Sequence, residues 1–135
     1  MLRTICYVST ASPSLNEHGL AKLYEEAIRK NSEQNITGIL LYSDGNFMQI
    51  MEGEEAPLVT LYENIQNDER HHHLIKLVDR TIDQRIFENY SNGFTIINNE
   101  QEVFKLNIYL NWVKDNFEGD VQRLVEIVKP FLKYT

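Results

Sequence analysis

Apolar and polar residues alternate with two different periods along the chain, one typical of strands and the other of helices. Over residues 2–9, neighbouring residues face opposite sides, with Tyr7 on one face and Cys6 on the other, which predicts a central strand. From Leu20 to Ile28, apolar residues recur every three to four positions after Asn16, a suitable N-cap, which predicts a helix packed on a core. The chain therefore begins with a strand and a helix.

The next segment predicts a hairpin. Residues 38–43 and 46–52 are rich in β-forming residues and flank Asp44-Gly45, a dipeptide typical of a tight turn. The elements that follow are expected to be a second helix from Glu54, with Pro57 in its first turn, and strands over residues 73–82 and 94–97. The order β-α-β-β-α-β-β is the ferredoxin-like pattern, an α+β fold with both helices on one face of the sheet.

The tail after residue 97 has a different pattern. Two groups of apolar residues at helical spacing predict a pair of short amphipathic helices joined near residues 116–119: Val103, Leu106, Leu110 and Val113, then Val121, Leu124, Val125 and Val128. We expect residues 1–97 to form one domain and residues 98–135 a C-terminal helical extension. The apolar stripes of this extension are expected to cover either the open face of the sheet or a partner.

Composition and charge exclude several classes of function. With 135 residues, of which 42% are hydrophobic and 24% charged, the chain is large enough for a core of its own. A net charge of −7 without a basic stripe argues against nucleic acids and anionic membranes. Cys6 is the only cysteine, and no apolar run approaches the roughly 18 residues of a spanning helix. We therefore expect a cytoplasmic protein that binds neither nucleic acid nor membrane.

The polar residue that stands out is Gln49, which lies inside the apolar run 47–51. A buried amide without partners costs roughly 1–3 kcal/mol, so a backbone group, a water molecule or a ligand must meet it. Tyr7 and Asn31 also fall on surfaces that the patterns predict to be buried. Each has a structural alternative, Tyr7 as a core aromatic with a satisfied hydroxyl and Asn31 as a helix C-cap.

The ferredoxin-like order places the first and third strands side by side. Tyr7 and Gln49 are therefore expected to be neighbours, with Asn31 above them at the end of the first helix. A phenol and two amides that converge between a sheet and two helices suit a flat polar heterocycle.

Four segments together resemble the BLUF family, the flavin-based sensors of blue light. They are Ile5-Cys6-Tyr7-Val8-Ser9, Asn31 with Thr37-Gly38-Ile39-Leu40-Leu41-Tyr42, Phe47-Met48-Gln49-Ile50-Met51-Glu52-Gly53, and Asp68-Glu69-Arg70-His71-His72. The resemblance covers residues 1 to about 97. It implies the ferredoxin-like fold with the ring of FAD between the two helices, with FMN and riboflavin as alternatives.

The resemblance also implies roles for individual residues. Tyr7 would be the photoactive tyrosine, which gives an electron and then a proton to the excited flavin before both return. Gln49 would lie between Tyr7 and the ring and switch its hydrogen bonds by rotation, tautomerisation or both. Asn31 would bind the pyrimidine side of the ring.

The flavin tail is expected near the end of the second helix. By resemblance, Asn64, Asp68, Arg70 and His71 would contact the ribityl chain and the phosphates, although Asn64 stands where the family often has a basic residue.

Two clusters suggest other chemistry. The histidines 71–73 point alternately along an extended segment, so no metal site is expected. Glu52, Glu54 and Glu55 are expected in a solvated turn ahead of a helix N-terminus, where carboxylates complement the dipole.

The departure from the family lies at the last strand. Tyr90 falls where many members have a tryptophan, and Asn92 where many have a methionine that exchanges places with it. We predict that this pair belongs to the output path, with Tyr90 either as a second redox-active aromatic or as an anchor for the strand.

We therefore predict a short blue-light receptor that is not an enzyme and has no attached effector. Its expected partners are flavin, further copies of itself and an effector protein.

Two alternative functions remain. A small ferredoxin-like phosphatase would need a basic loop after the first strand, which residues 10–13 do not supply. A light-insensitive ligand-sensing or interaction module would have the same fold but would not show the visible absorption of a bound flavin.

Overall fold

The computed structural model describes residues 1–117 and 119–132, and its order of elements is the predicted one. The first part of the chain contains β1 (Leu2–Ala11), α1 (Glu17–Glu33), β2 (Thr37–Ser43), β3 (Asn46–Glu54), α2 (Glu55–Gln66), β4 (His71–Thr81) and β5 (Phe94–Ile97). The tail contains α3 (Glu100–Asn116), α4 (Asp120–Val128) and a 3-10 turn (Lys129–Leu132). The α+β, ferredoxin-like prediction is confirmed.

The five strands form one sheet in the order β4-β1-β3-β2-β5. β1 lies between β4 and β3 and is antiparallel to both, so the prediction of a central first strand is confirmed. Its register with β3 places Tyr7 directly opposite Gln49, and the register of β3 with β2 places Gln49 opposite Leu40. These three residues therefore form one row across the middle of the sheet.

Both helices pack on the face of the sheet that carries Tyr7. Leu58 and Tyr62 of α2 share a buried cluster with Ile5, Tyr7 and Met51. On the same face, Leu23, Tyr24 and Ala27 of α1 pack with Leu40 and Phe47. Because alternate strand residues share a face, this is the side on which Gln49 also lies.

Two sequence predictions need correction at element edges. Ile28 was expected in the buried stripe of α1 but is 43% exposed, because at about 100° per residue it lies roughly 80° from Leu20, at the edge of the stripe. β4 begins at His71 and not at residue 73. A register shift between Val8 and Thr10, with His73 at φ 53°, interrupts the alternation that the prediction relied on.

The chain divides into two compact units between Ile96 and Ile97. In the second unit, the predicted helical pair is confirmed, and its inner residues are buried: Val103, Leu106, Leu110 and Val113 of α3, and Leu124, Val125 and Val128 of α4. Glu118 of the predicted junction and residues 133–135 of the predicted extension lie outside the described residues. No helix within the described ranges is both long and apolar enough to span a bilayer.

Candidate functional site

A cavity of about 160 Å³ opens in the first unit and contains all seven predicted cofactor-binding residues. Its walls come from α1, the middle of the sheet, α2 and the segment that follows α2: Tyr7, Leu23, Glu26, Ala27, Lys30, Asn31, Leu40, Phe47, Gln49, Leu61, Asn64, Ile65, Asp68, Arg70 and His71. The fold thus brings residues that are up to 64 positions apart in sequence, such as Tyr7 and His71, to the same cavity.

Tyr7 and Gln49 form the floor of this cavity and are hydrogen-bonded to each other. The Tyr7 hydroxyl donates to Gln49 Oε1 at 3.0 Å, and both side chains are buried. Burial raises the pKa of the Tyr7 hydroxyl, and the Asp68 carboxylate raises it further, because both disfavour a phenolate. Tyr7 therefore keeps its proton and serves as the donor of this bond.

Asn31 lies on the α1 side of the cavity. It is buried, and its Nδ2 has no hydrogen-bond partner among the described residues. The alternative of a helix C-cap is wrong, because α1 continues to Glu33 and its C-cap is Gln34, whose backbone N–H bonds to the Lys30 carbonyl. The position of Asn31 at about 20° from Leu20 places it at the centre of the buried stripe. Its amide is available to a ligand.

His71 is held by the protein on both sides of its ring. Nε2 donates to the Ile65 carbonyl at 2.6 Å, and Nδ1 accepts from the Ser9 hydroxyl at 2.7 Å. The carbonyl can only accept, so the proton of the neutral ring is on Nε2. His71 thus joins the end of α2 to β1. Both ring nitrogens are occupied by these bonds, so only the carbon atoms of the ring are available to a ligand in the cavity.

Arg70 and Asp68 form a charged group at the cavity with Glu26 of α1. Arg70 Nη2 lies 2.7 Å from Asp68 Oδ2, and its Nη1 lies 2.9 Å from Glu26 Oε2. Partial burial acts to raise the pKa of Asp68, but hydrogen bonds from the Arg70 side chain and backbone outweigh it, so the net pKa is lowered. The charge of Arg70 is therefore shared between two carboxylates of the protein.

Three functional candidates were not identified from the sequence. Glu26 and Lys30 of α1 line the cavity; their spacing of four residues beside the apolar stripe was the available signal. Glu52 was expected in a solvated turn, and that prediction is wrong, because Glu52 is completely buried. Its carboxylate accepts hydrogen bonds from groups distant in sequence, which the local run of acidic residues does not reveal.

The two predicted output residues lie away from the cavity lining. Tyr90 is half-buried with its ring 6.2 Å from that of Phe87, and Asn92 is exposed. His72 and His73 are exposed. Across the part of the chain that the structure describes, no three histidine, cysteine or acidic side chains are grouped to hold a metal ion.

Comparison with known proteins agrees with this geometry. A model of the family described as BLUF, sensors of blue light using FAD, matches residues 2–93. Photoactivated adenylate cyclase subunit alpha from Euglena gracilis is 36% identical over 86 residues, which is 64% of this chain but 8% of that protein. The similarity thus concerns a small segment of the cyclase and not its whole length.

The fold also occurs in solved structures, of which two serve as examples. BlrP1 of Klebsiella pneumoniae with FMN and cyclic diGMP has a TM-score of 0.76 and 28% identity, over 98% of this chain and 34% of that one. BlsA in its ground state has a TM-score of 0.63 and 30% identity, over 80% of this chain and 73% of that one. Since the family model spans more than half of the residues, the chain belongs to the BLUF family, the flavin-based sensors of blue light.

Proposed function

We propose that light acts on this chain by changing the hydrogen bond between Tyr7 and Gln49 on the floor of the cavity. The observation that carries the proposal is the 3.0 Å bond itself, which joins a phenol and an amide inside a cavity of an identified flavin sensor. The light-insensitive module, the alternative predicted from sequence, has no support from the family assignment.

The residues around the cavity fit a flavin ring. Leu40, Phe47 and Ile65 supply apolar walls against which the faces of a flat ring can pack. The unpartnered Nδ2 of Asn31 is a buried donor, and an acceptor on a bound heterocycle would satisfy it. Gln49 offers its Nε2 donors, since the Tyr7 hydroxyl occupies its Oε1.

A bound flavin supplies the absorption of blue light and, once excited, a strong demand for an electron. Tyr7 would meet that demand: its phenol would give one electron and its proton to the bound flavin and later take both back, which leaves no net oxidation of either group. Loss of the proton removes the donor to Gln49 Oε1, so the amide exchanges its donor and acceptor ends by rotation or tautomerisation. The protein thereby stores a changed hydrogen-bond pattern without a covalent bond.

We propose FAD as the flavin, with FMN and riboflavin as alternatives. Lys30 lies on the cavity and also on a second groove beside it, lined by residues that include Gln34, Thr60 and Asn64. We expect the tail of a dinucleotide to follow this groove with its phosphates near Lys30. Arg70 is the less suitable partner for the phosphates, because its charge is already shared with two carboxylates.

The absorption spectrum of the purified, flavin-loaded protein tests this function. We expect the flavin bands to move to longer wavelength under blue light and to return in the dark. A flavin-loaded protein whose spectrum does not change on illumination would contradict the proposal.

Asn31→Ala is expected to weaken flavin binding, because a bound ring loses the donor that the cavity holds for it. An unpaired buried polar contact costs about 1–3 kcal/mol, which is roughly a 5- to 150-fold increase in Kd. Flavin titration measures this value, with Asn67→Ala as the control because Asn67 is exposed at the end of α2 and lies outside the cavity lining. Unchanged affinity in Asn31→Ala would show that Asn31 does not hold the ring.

We further propose that this chain is a sensor without enzymatic activity and acts in the cytoplasm through binding to other proteins. The exposed residues Phe104, Ile108 and Trp112 recur every four residues along α3 and support an interaction surface, including one between copies of the chain. β5 leads directly into α3, which gives the light signal a short covalent path to that surface.

Hydrogen exchange in the dark and in the light is expected to locate this output. Amide protection should change more in residues 90–97 and in α3 and α4 than in residues 20–28 of α1, because the output path runs through the last strand. If α3 and α4 exchange identically in both states while the flavin spectrum switches, the output leaves the protein by another surface.

A further inference from the structure

A buried carboxylate lies on the strand that carries Gln49 but on the other face of the sheet. Glu52 follows Gln49 by three residues on β3, so the alternation of the strand points the two side chains in opposite directions. Its relative exposure is 0%. Because a carboxylate in the interior must be paired or hydrogen-bonded, its partners indicate its role.

The partners of Glu52 attach a distant segment to the sheet. Its Oε2 accepts from the backbone N–H of Ile86 at 2.8 Å, and its Oε1 accepts from the backbone N–H of Phe87 at 2.6 Å and from the Thr37 hydroxyl at 2.8 Å. Ile86 and Phe87 belong to the β4–β5 connection, residues 82–93. Arg85 completes the attachment, donating to Thr37 Oγ1 at 3.0 Å and to the Glu52 carbonyl at 3.2 Å.

The groups around the Glu52 side chain suit an ionised carboxylate, which accepts hydrogen bonds and donates none. All three of the bonds to the Glu52 carboxylate come from donors, and the two backbone donors lie in a segment without helix or strand. Buried backbone N–H groups need partners, and the carboxylate provides them here in place of a neighbouring strand. Burial raises the pKa of Glu52, while the N–H groups of Ile86 and Phe87 oppose that rise.

The attachment continues from Glu52 to Tyr90. The Phe87 carbonyl accepts from the Tyr90 N–H at 3.1 Å, and the two rings meet edge to face at 6.2 Å. The Tyr90 carbonyl accepts from the Gly93 N–H at 3.1 Å, and the Gly93 carbonyl accepts from the Gly38 N–H on β2 at 2.9 Å. The β4–β5 connection is therefore bonded to β3 at one end and to β2 at the other.

We propose that Glu52 is a positioning residue of the light response: its carboxylate couples the strand that carries Gln49 to the β4–β5 connection that carries Tyr90 and Asn92. A displacement of β3 that accompanies the change at Gln49 moves two backbone groups of the connection directly. The inference rests on the proposed function, because it assigns a path to the signal that Gln49 starts.

Glu52→Gln tests the coupling, because glutamine keeps the shape but replaces one acceptor oxygen by a donor that cannot meet an N–H group. Glu54→Gln is the matched control: it is the same substitution on the same strand, at an exposed position. Each flavin-loaded variant is measured twice, by its light-minus-dark absorption and by hydrogen exchange of residues 86–93 in dark and light.

We expect Glu52→Gln to keep the flavin shift and to lose the light-dependent change in exchange, and Glu54→Gln to keep both. A full light-dependent change in Glu52→Gln would overturn the proposal, as would equal exchange of the Ile86 and Phe87 amides in dark and lit wild-type protein. The wild-type comparison stands even where the variant does not fold. If Glu52 had only a structural role, Glu52→Gln would change the exchange rates by the same amount in the dark and in the light, and the light-dependent difference would remain. Failure of the proposed function would give a different result, because the wild-type protein would then show no light-induced shift of its flavin absorption.

Discussion

Tyr7→Phe is expected to bind flavin normally and to lose the reversible light-induced shift of its absorption. Phenylalanine keeps the ring that packs against Tyr62, at 6.1 Å between centroids, so the cavity retains its shape. The substitution removes the hydroxyl that donates to Gln49 Oε1 and, with it, the transferable proton. Light-minus-dark absorption of the loaded variant measures the result.

Two comparisons make this prediction specific. Gln49→Leu should also lose the shift, because the apolar side chain cannot exchange donor and acceptor ends. Tyr62→Phe is the control: Tyr62 is buried beside Tyr7 but lies outside the cavity lining, so its variant should switch normally. A normal shift in Tyr7→Phe would show that another group responds to the excited flavin.

Gly38→Ala is expected to destabilise the fold by about 3 kcal/mol or more. The backbone of Gly38 has φ +144°, and a Cβ there would lie 1.9 Å from the Ile50 carbonyl oxygen on the adjacent strand. A strained backbone conformation costs about 1–3 kcal/mol, and the steric overlap adds a similar amount because strand backbone cannot move aside. Denaturant unfolding of the protein measures the loss.

Gly45→Ala provides the matched control in the hairpin turn. Gly45 also has a positive φ, +80°, but apart from Gly45 itself and its two chain neighbours no residue places an atom within 4 Å of the position of its Cβ. Only backbone strain remains, so we expect a loss of about 1–2 kcal/mol. Equal losses in the two variants would mean that β2 and β3 do not approach each other as closely as the structure shows.

The core of the site could be predicted because it depends on short-range periodicity. Alternation along β1 and β3 places Tyr7 and Gln49 on one face, and the ferredoxin-like order makes the two strands neighbours. Helical spacing brings Asn31 to the same space. The two periods, of two and 3.6 residues, are displayed directly by the sequence, and the adjacency of β1 and β3 follows from the order of the elements that these periods predict.

Glu52 could not be predicted in this way. Its neighbours Gly53, Glu54 and Glu55 make the local sequence resemble a solvated turn. Its burial depends on backbone groups 34 and 35 residues away, in a connection that has no periodic pattern. The ion pair between Glu26 and Arg70 is equally non-local, because it joins α1 to the segment after α2.

Infrared difference spectroscopy of the flavin-loaded protein, with isotope-labelled glutamine, tests most directly whether light changes hydrogen bonding at Gln49. Light-minus-dark spectra contain only groups that change, and Gln49 is the glutamine that lines the cavity. We predict a pair of side-chain amide bands that moves on labelling and is absent in Gln49→Leu. Flavin bands that change on illumination without any glutamine band would contradict a switch at Gln49.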